Sequence, residues 1–196
     1  MACLFVRLFG CNLACSWCDS KHTWHKDHIR KAEHIKMTAQ ELVKICEPYC
    51  YIVFTGGEPT LQQDRLLPVL TQLNLKKKRV GIESNGSVKT SESFQGLIHT
   101  YTISPKLKNS ENPQGKFSPV EKATYKFVVR EERDIDETQA FCHEHKIRKE
   151  QVYLMAEGFT KEKQLDAKWL FEFCMEQQYN YSPRLHVLFF GNKRYV

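Results

Sequence analysis

Three cysteines near the start of the chain, Cys11, Cys15 and Cys18, follow one another in a C-x3-C-x2-C pattern. Thiolates are soft ligands that suit iron–sulfur clusters and zinc. Three of them on one short loop can face a single point, whereas closed zinc sites and most cubane clusters take four protein ligands. The pattern therefore predicts a metal centre with one position open for chemistry. The spacing alone leaves a structural zinc knuckle with a distant fourth ligand as the alternative.

The other cysteines and the histidines are predicted to lie outside this centre. Cys46 and Cys50 flank the end of a predicted helix. They could be further ligands, but the helix break separates them, and we interpret them as core residues or free thiols. Cys142 and Cys174 lie on predicted helices and are interpreted as core residues. Four histidines fall in the polar segment 21–36, which has no predicted strand or helix to fix their geometry. We interpret that segment as a solvated loop.

A first strand is predicted directly before the cysteine loop. Residues 4–9 form an apolar run, and Gly10 ends it. Arg7 lies near the end of this run and would point towards whatever binds above the metal centre. Its planar guanidinium suits a carboxylate, which it can bind through two hydrogen bonds. A surface arginine in a structural ion pair is the alternative.

Strands and helices are predicted to alternate six or seven times along the chain. Further strands are expected at residues 51–54, 80–83, 100–104, 125–129, 152–155 and 185–190, and helices at 38–47, around Leu66 to Leu73, at 134–145 and at 160–178. The last helix is expected to bury Leu165, Trp169, Leu170 and Phe173 on one face. This alternation predicts a parallel sheet with helical crossovers, arranged as a partial α/β barrel open on one side.

Small and polar residues follow three of the predicted strands. Residues 55–59 read TGGEP, residues 83–86 read ESNG and residues 104–106 read SPK. Parallel folds of this kind build their sites at the carboxyl ends of strands, where these motifs would meet. The two glycines allow close backbone approach to a ligand, Glu58 can bind an ammonium group, and Lys106 can neutralise a carboxylate.

Length and composition are typical of a globular protein with a single domain over residues 1–196. The hydrophobic fraction is 41% and the charged fraction is 27%. We expect a reducing cytoplasm, since the short N-terminal apolar run contains Arg7 and is not a signal peptide, and no run approaches a membrane span. The net charge of +6 permits an anionic partner, but the basic residues are scattered, so we expect no direct binding of nucleic acid and no membrane.

The cysteine loop resembles the cluster loop of radical S-adenosylmethionine enzymes. Arg7 before it, Cys-Asp-Ser at 18–20 and Trp24 after it narrow the resemblance to the 7-carboxy-7-deazaguanine synthases, which make the deazapurine precursor of queuosine. The motifs at 55–59, 83–86 and 103–106, and the end of the chain at 191–196, are similar to that family as well. The resemblance therefore extends over nearly the whole chain.

Membership of that family implies a fold, cofactors and a reaction. The fold is the open parallel β/α barrel of radical S-adenosylmethionine enzymes. Cys11, Cys15 and Cys18 would hold a [4Fe–4S] cluster, and Ser20, where a threonine is usual, would bind Mg²⁺ through its hydroxyl oxygen. The substrate would be 6-carboxy-5,6,7,8-tetrahydropterin and the products 7-carboxy-7-deazaguanine and ammonia. No side chain would be catalytic itself, because the radical comes from the cofactor.

The resemblance also assigns binding residues. S-adenosylmethionine would contact Trp17, Cys18, Asp19, Gly57, Glu58, Ser84, Asn85, Ser104, Pro105, Lys106, Met155, Ala156, Glu157 and Gly158. The pterin would contact Arg7, Thr55 and the terminal carboxylate of Val196. The family further implies a homodimer and an electron donor such as flavodoxin or ferredoxin.

The chain departs from the family pattern in two places. The family carries a Gln-Gly-Glu-Gly turn before the first strand that holds the pterin, and we expect this turn to be missing here. The family often has Gln-Pro near residues 155–158, which is also absent. Two other functions remain open on the sequence: a glycyl-radical-enzyme activating enzyme with the same cysteine spacing, and a non-catalytic zinc or RNA-binding module.

Overall fold

The computed structural model describes residues 2–29, 34–113, 115–191 and 193. These residues form two compact units. The first consists of described residues within 1–14, 20–103 and 115–123, and the second of described residues within 15–19, 104–114 and 124–196. The boundary divides the cysteine loop, because Cys11 belongs to the first unit whereas Cys15 and Cys18 belong to the second. The single domain over residues 1–196 stays a prediction.

The first unit contains four parallel strands whose order in the sheet follows the chain. They are β1 (Leu4–Leu8), β2 (Tyr51–Gly56), β3 (Arg79–Ser84) and β4 (Thr100–Ile103). Its helices are α1 (Lys26–Ile29), α2 (Ala39–Cys46), α3 (Gln63–Leu75) and α4 (Glu92–Gln95). The sequence predicted these strands and the two longer helices, whereas α1 was not predicted.

Helices α2 and α3 show why these residues form these elements. Thr38 and Glu41 form a capping box at the start of α2, in which the Thr38 hydroxyl accepts from Glu41 N at 3.3 Å. Helix α3 buries Leu66, Leu70 and Leu73 at the predicted helical spacing. The two helices contact each other, and α3 contacts β3, so their apolar faces cover the sheet.

The second unit contains the remaining three strands, which are also parallel and ordered as in the chain. They are β5 (Thr124–Val129), β6 (Val152–Ala156) and β7 (Asn180–Tyr181). Its helices are α5 (Arg133–Glu144), α6 (Lys161–Asp166), α7 (Lys168–Gln177) and α8 (Leu185–Phe190). Within the described parts of the chain, no helix is long and apolar enough to cross a membrane.

The prediction of one long helix over residues 160–178 is wrong. The helix is interrupted at Ala167, so α6 and α7 are separate. Leu165, which was expected to face inward, is 60% exposed, whereas Leu170 is fully buried. The break changes which residues share a face. The spacing of about 3.6 residues per turn predicts a common face only within one continuous helix, so it does not relate residues of α6 to residues of α7.

The prediction of a last strand at residues 185–190 is also wrong, because this segment is helix α8. The carbonyl of Arg184 accepts hydrogen bonds from Val187 N at 2.9 Å and Leu188 N at 3.1 Å. A short continuous apolar run has no periodicity that separates a buried strand from a helix. The last strand is instead the short β7, which precedes Pro183.

The polar segment 21–36 is partly helical, which corrects the loop prediction. A 3₁₀ turn covers Lys21–Thr23 and α1 follows it, while residues 30–33 lie outside the described residues. The rings of His25 and His28 meet edge to face, with their centroids 5.2 Å apart.

Candidate functional site

The segment that leads into the cysteine loop packs against the TGGEP turn of the first unit. Gly57 N donates to the carbonyl of Leu8 at 3.0 Å, and Glu58 N donates to the carbonyl of Gly10 at 2.7 Å. A Cβ atom added to Gly57 would lie 2.0 Å from the Gly10 oxygen and 2.9 Å from Cys11 N. Only glycine fits here, so this turn fixes where the loop begins.

The first cysteine of the loop follows a residue of unusual backbone conformation. Gly10 has a φ of +97°, which side-chain-bearing residues rarely adopt. Leu13 N donates to the Cys11 sulfur at 3.4 Å. A backbone donor at this sulfur favours the thiolate that a metal would need.

Glu58 is the centre of a buried hydrogen-bond network. Its side chain is fully buried, and Oε1 accepts from Thr60 N at 2.9 Å, Thr60 Oγ1 at 2.5 Å and Ser84 Oγ at 2.9 Å. Oε2 accepts from Asn85 N at 2.6 Å. The structure therefore brings together Glu58, Ser84 and Asn85, as predicted, whereas sequence reasoning missed Thr60. The binding of an ammonium group by Glu58 stays a prediction.

Asn12, inside the cysteine loop, extends this network and was not predicted. Its Oδ1 accepts from Asn85 Nδ2 at 3.2 Å, and its Nδ2 donates to Ser87 Oγ at 2.8 Å. The end of β3 thus holds the first part of the cysteine loop through a side chain as well as through backbone.

Two of the predicted pterin contacts lie on neighbouring strands. Arg7 on β1 and Thr55 on β2 are paired in the sheet register. Thr55 is buried, and its hydroxyl donates to Glu83 Oε2 at 3.1 Å, whereas Arg7 is exposed. Val196, the third predicted contact, lies outside the described residues.

Arg7 also contacts the residue that was predicted to bind Mg²⁺. Arg7 Nη1 donates to Ser20 Oγ at 2.9 Å, and Ser20 is buried. The Ser20 carbonyl accepts from Thr23 N and Thr23 Oγ1, at 2.8 and 2.7 Å, and the Thr23 carbonyl accepts from Gly10 N at 2.8 Å. One connected network therefore positions Arg7, Ser20 and the start of the cysteine loop.

In the second unit, the remaining cysteines lie on a segment that is bonded to the SPK loop and the turn after it. Ser16 N donates to the Ser110 carbonyl and Trp17 Nε1 donates to the Asn109 carbonyl, each at 2.9 Å. Lys106 Nζ lies 5.3 Å from the centroid of the Trp17 ring, within cation–π range.

Lys106 and Cys15 influence each other's protonation. Burial raises the pKa of the Cys15 thiol, and the positive charge of Lys106 opposes that rise. Burial likewise lowers the pKa of Lys106, and the negative charge of a Cys15 thiolate opposes that fall. Each group thus favours the charged form of the other. The Lys106 ammonium also donates to the Ser104 carbonyl and hydroxyl, at 2.6 and 2.7 Å, next to Pro105.

The end of β6 is held by two residues that sequence reasoning missed. Gln164 Nε2 donates to the carbonyls of Ala156 and Gly158, at 3.3 and 3.2 Å. Arg184 Nη1 donates to the Gly158 carbonyl at 3.3 Å, and Arg184 Nη2 forms an ion pair with Asp19. Asp19 and the 155–158 segment were predicted separately as cofactor contacts, and Arg184 joins them.

Met155 and Glu157 are the other predicted residues of the 155–158 segment, and their side chains are held less firmly in place. Met155 is partly exposed at the end of β6. Glu157 N donates to the Val129 carbonyl at 2.9 Å, and its carboxylate lies 3.9 Å from Lys163 Nζ. Their contacts with a cofactor stay predictions.

The donor chemistry of the cysteine loop fits an iron–sulfur cluster, because three thiols, an amide donor at Cys11 and a cation beside Cys15 favour thiolate ligation. Within the described ranges, no three His, Cys, Asp or Glu side chains already converge as a set of metal ligands. Ligation of one cluster by Cys11, Cys15 and Cys18 together therefore stays a prediction.

Three other cysteines are poor metal ligands. Burial raises the pKa of the Cys46 and Cys174 thiols to about 11 each and that of Cys142 to about 12. They remain protonated thiols near neutral pH. Cys174 is buried, in agreement with its interpretation as a core residue, and Cys46 is buried as well, whereas Cys142 is only partly buried.

Comparisons with known proteins identify relatives of this chain. The family model described as the Radical SAM superfamily matches residues 6–102. The 7-carboxy-7-deazaguanine synthase of Hyperthermus butylicus is 32% identical, with 94% of this chain and 83% of that protein covered. The synthase of the same name from Pyrobaculum aerophilum is 29% identical, with 97% and 87% covered.

Solved structures give the same result for the fold. The crystal structure of QueE from Escherichia coli has a TM-score of 0.67 and 26% identity, with 93% of this chain and 84% of that chain covered. SuiB from Streptococcus suis, bound to the precursor peptide SuiA, has a TM-score of 0.63 at 14% identity, with 95% and 50% covered. The likeness to SuiB shows the fold alone.

The parallel α/β fold and the cysteine motif define a radical S-adenosylmethionine enzyme, and they confirm the predicted fold class. Such enzymes carry a [4Fe–4S] cluster and use S-adenosylmethionine. Within this class, the chain belongs to the 7-carboxy-7-deazaguanine synthase family. The resemblance seen in the sequence is confirmed, and the findings do not favour the glycyl-radical, zinc or RNA-binding alternatives.

Replacing Gly57 by alanine should destabilise the first unit, because the new methyl group would overlap the Gly10 carbonyl. We expect a loss of about 2 kcal/mol or more in the free energy of unfolding, measured with urea. Gly115→Ala is the matched control, since a Cβ atom there meets nothing within 4 Å. Equal stability of the two variants would show that the turn does not depend on this close approach.

Replacing Glu58 by glutamine keeps the size of the side chain but turns one acceptor into a donor. Buried N–H or O–H groups of the network would then lose their partner, which should cost about 1–3 kcal/mol in unfolding free energy. The control is Glu47→Gln, which alters an exposed ion pair with Lys76 and should leave the free energy of unfolding close to that of the wild type. Similar losses in both variants would contradict the central place given to Glu58.

Proposed function

We propose that this chain is an enzyme that converts 6-carboxy-5,6,7,8-tetrahydropterin to 7-carboxy-7-deazaguanine with loss of ammonia. It would be a carbon–nitrogen lyase that uses S-adenosylmethionine and supplies the queuosine pathway of tRNA modification. The observation that carries the proposal is the identity to the Hyperthermus butylicus synthase of 32% over 94% of this chain. The contacts that the predicted site residues make within each unit support it.

The cluster would be held by Cys11, Cys15 and Cys18. When bound, it would supply the electron for the reductive cleavage of S-adenosylmethionine, the radical chemistry on which conversion of the substrate depends. The chain's own residues prepare the ligands. Leu13 N donates to the Cys11 sulfur, and the charge of Lys106 favours the thiolate of Cys15.

Each unit offers polar groups for S-adenosylmethionine. In the first unit, Gly57, Glu58, Ser84 and Asn85 form one rigid network next to the start of the cysteine loop. The second unit offers two groups. Trp17, residues 104–106 and Asn109 form the first. Asp19 and residues 155–158 form the second. Within each group these hydrogen bonds are already formed, which suits an enzyme that must orient its cofactor before the radical forms.

The pterin carboxylate and Mg²⁺ are proposed to bind next to each other. Arg7 donates to the Ser20 hydroxyl, whose oxygen is the kind of ligand that Mg²⁺ prefers. Two cations at one hydroxyl repel each other, so a metal there needs an anion that neutralises Arg7. The substrate carboxylate is such an anion, and substrate and Mg²⁺ would therefore bind cooperatively.

Several finer parts of the proposal concern partners and location. Thr55 and the carboxylate of Val196 would complete the contacts with the pterin. A flavodoxin or ferredoxin would supply electrons, two copies of the chain would form a homodimer, and the enzyme would work in the cytoplasm. None of the eight cysteines is in a disulfide, which suits a reducing compartment.

The direct test is an anaerobic reaction of the reconstituted chain with S-adenosylmethionine, dithionite, Mg²⁺ and the carboxypterin. We expect 7-carboxy-7-deazaguanine by mass spectrometry and an equal amount of ammonia. Cys15→Ala should lose both the cluster absorbance and the product, whereas Cys142→Ala should retain both, because Cys142 is a protonated thiol. Bound zinc without iron or sulfide after anaerobic purification would contradict the proposal.

Ser20→Ala should abolish the stimulation of turnover by Mg²⁺ while the cluster content stays unchanged, because only an oxygen ligand is removed. Ser20→Thr, which restores the residue usual in the family, is the control and should retain the stimulation. Binding of Mn²⁺, followed by electron paramagnetic resonance, should be tighter with the carboxypterin than without it. Equal Mn²⁺ affinity with and without substrate would overturn the cooperative arrangement.

A further inference from the structure

Arg184 occupies an unusual position for a cationic side chain. Its side chain is only 5% exposed, although it carries a full charge. The guanidinium makes an ion pair with Asp19 through Nη2, donates to the Gly158 carbonyl through Nη1 at 3.3 Å, and lies 5.1 Å from the centroid of the Phe159 ring. It therefore contacts two segments that are far apart in the sequence.

The way in which Arg184 uses its donors indicates that it connects these segments. An arginine that serves mainly an ion pair binds a carboxylate with two parallel hydrogen bonds. Here Nη1 and Nη2 have different partners, and the buried Nε–H has no hydrogen-bond partner among the described residues. A buried donor without a partner is unfavourable, so this geometry is not the most stable one available to the pair.

The two segments that Arg184 connects are restrained in other ways as well. Gly158 has a φ of +134°, and its carbonyl also accepts from Gln164 Nε2. Asp19 directly follows Cys18, and its side chain is 48% exposed. The carboxylate is therefore bound to a buried cation while its side chain stays half exposed.

We propose that Arg184 is a positioning residue for S-adenosylmethionine, which fixes the Asp19 carboxylate and the Gly158 carbonyl at one place in the second unit. This inference rests on the proposed function, because it takes both segments as cofactor contacts. Its chemical content is separate: a buried cation that was not itself predicted as a contact sets the direction of the Asp19 carboxylate, which would accept from a donor of the cofactor, and anchors the segment that contains Gly158. Arg184 is buried while Asp19 is half exposed, and ion pairs of this kind add little net stability, which favours a role in positioning.

The test measures binding of S-adenosylmethionine to the reconstituted holoenzyme with its cluster oxidised, so that no cleavage occurs. Arg184→Met should raise the dissociation constant about tenfold because the Asp19 carboxylate loses its fixed direction, and Asp19→Asn should raise it about as much because the carboxylate itself is lost. The double variant should lose less than the sum of the two single losses, since both changes break the same ion pair. The change of the cluster's resonance signal on adding S-adenosylmethionine, measured on the reduced cluster, should weaken in parallel.

Two further variants keep the test decisive. Arg133→Met is the matched control, because that arginine is 81% exposed and pairs with Glu131 at the surface, and it should bind S-adenosylmethionine like the wild type. If Arg184→Met does not fold, Asp19→Asn and Arg184→Lys give the same comparison, with the lysine variant falling between wild type and Asp19→Asn because it can hold only one partner well.

The outcomes separate this inference from the proposed function. A wild type that does not bind S-adenosylmethionine at all would overturn both. A wild type that binds it, with variants that melt at lower temperature but bind equally well, would overturn the positioning role alone and leave Arg184 as a structural residue.

Discussion

The first unit depends on one buried negative charge. A carboxylate removed from water is stable only if donors surround it, and Glu58 meets this need with four hydrogen bonds from Thr60, Ser84 and Asn85. Because these donors lie after β2 and at the end of β3, the charge fixes both strand ends relative to each other. The same turn places Gly57 against Gly10, and so the position of the start of the cysteine loop follows from the solvation of one side chain.

In the second unit, the charges on which the proposed site depends are those of two cations, Lys106 and Arg184. Lys106 lies beside the cysteine-bearing segment and lowers the cost of a thiolate there, and Arg184 joins Asp19 to the end of β6. Both cations are partly or fully removed from solvent, where charge interactions are stronger than in water. An enzyme that must bind a charged cofactor and exclude side reactions benefits from such fixed charges, because they need not reorganise when the cofactor arrives.

Local signals explain which parts of the structure could be predicted from the sequence. The capping box at Thr38, the leucine spacing of α3 and the glycine and polar motifs after β2 and β3 depend on neighbours in the chain, and all were predicted. The six apolar residues 185–190 carry no such signal, and they form a helix where a strand was expected. Arg184 and Asn12 were missed because their roles depend on partners 165 and 73 residues away in the sequence.

The central claim is that this chain performs radical chemistry on a carboxypterin, and the most direct measurement follows hydrogen transfer. The reconstituted enzyme would be given a carboxypterin deuterated in its reduced ring, together with S-adenosylmethionine and dithionite. We predict that deuterium appears in the 5′-deoxyadenosine while 7-carboxy-7-deazaguanine forms. 5′-Deoxyadenosine without deuterium and without the deazaguanine product, from an enzyme that contains its full cluster, would contradict the account.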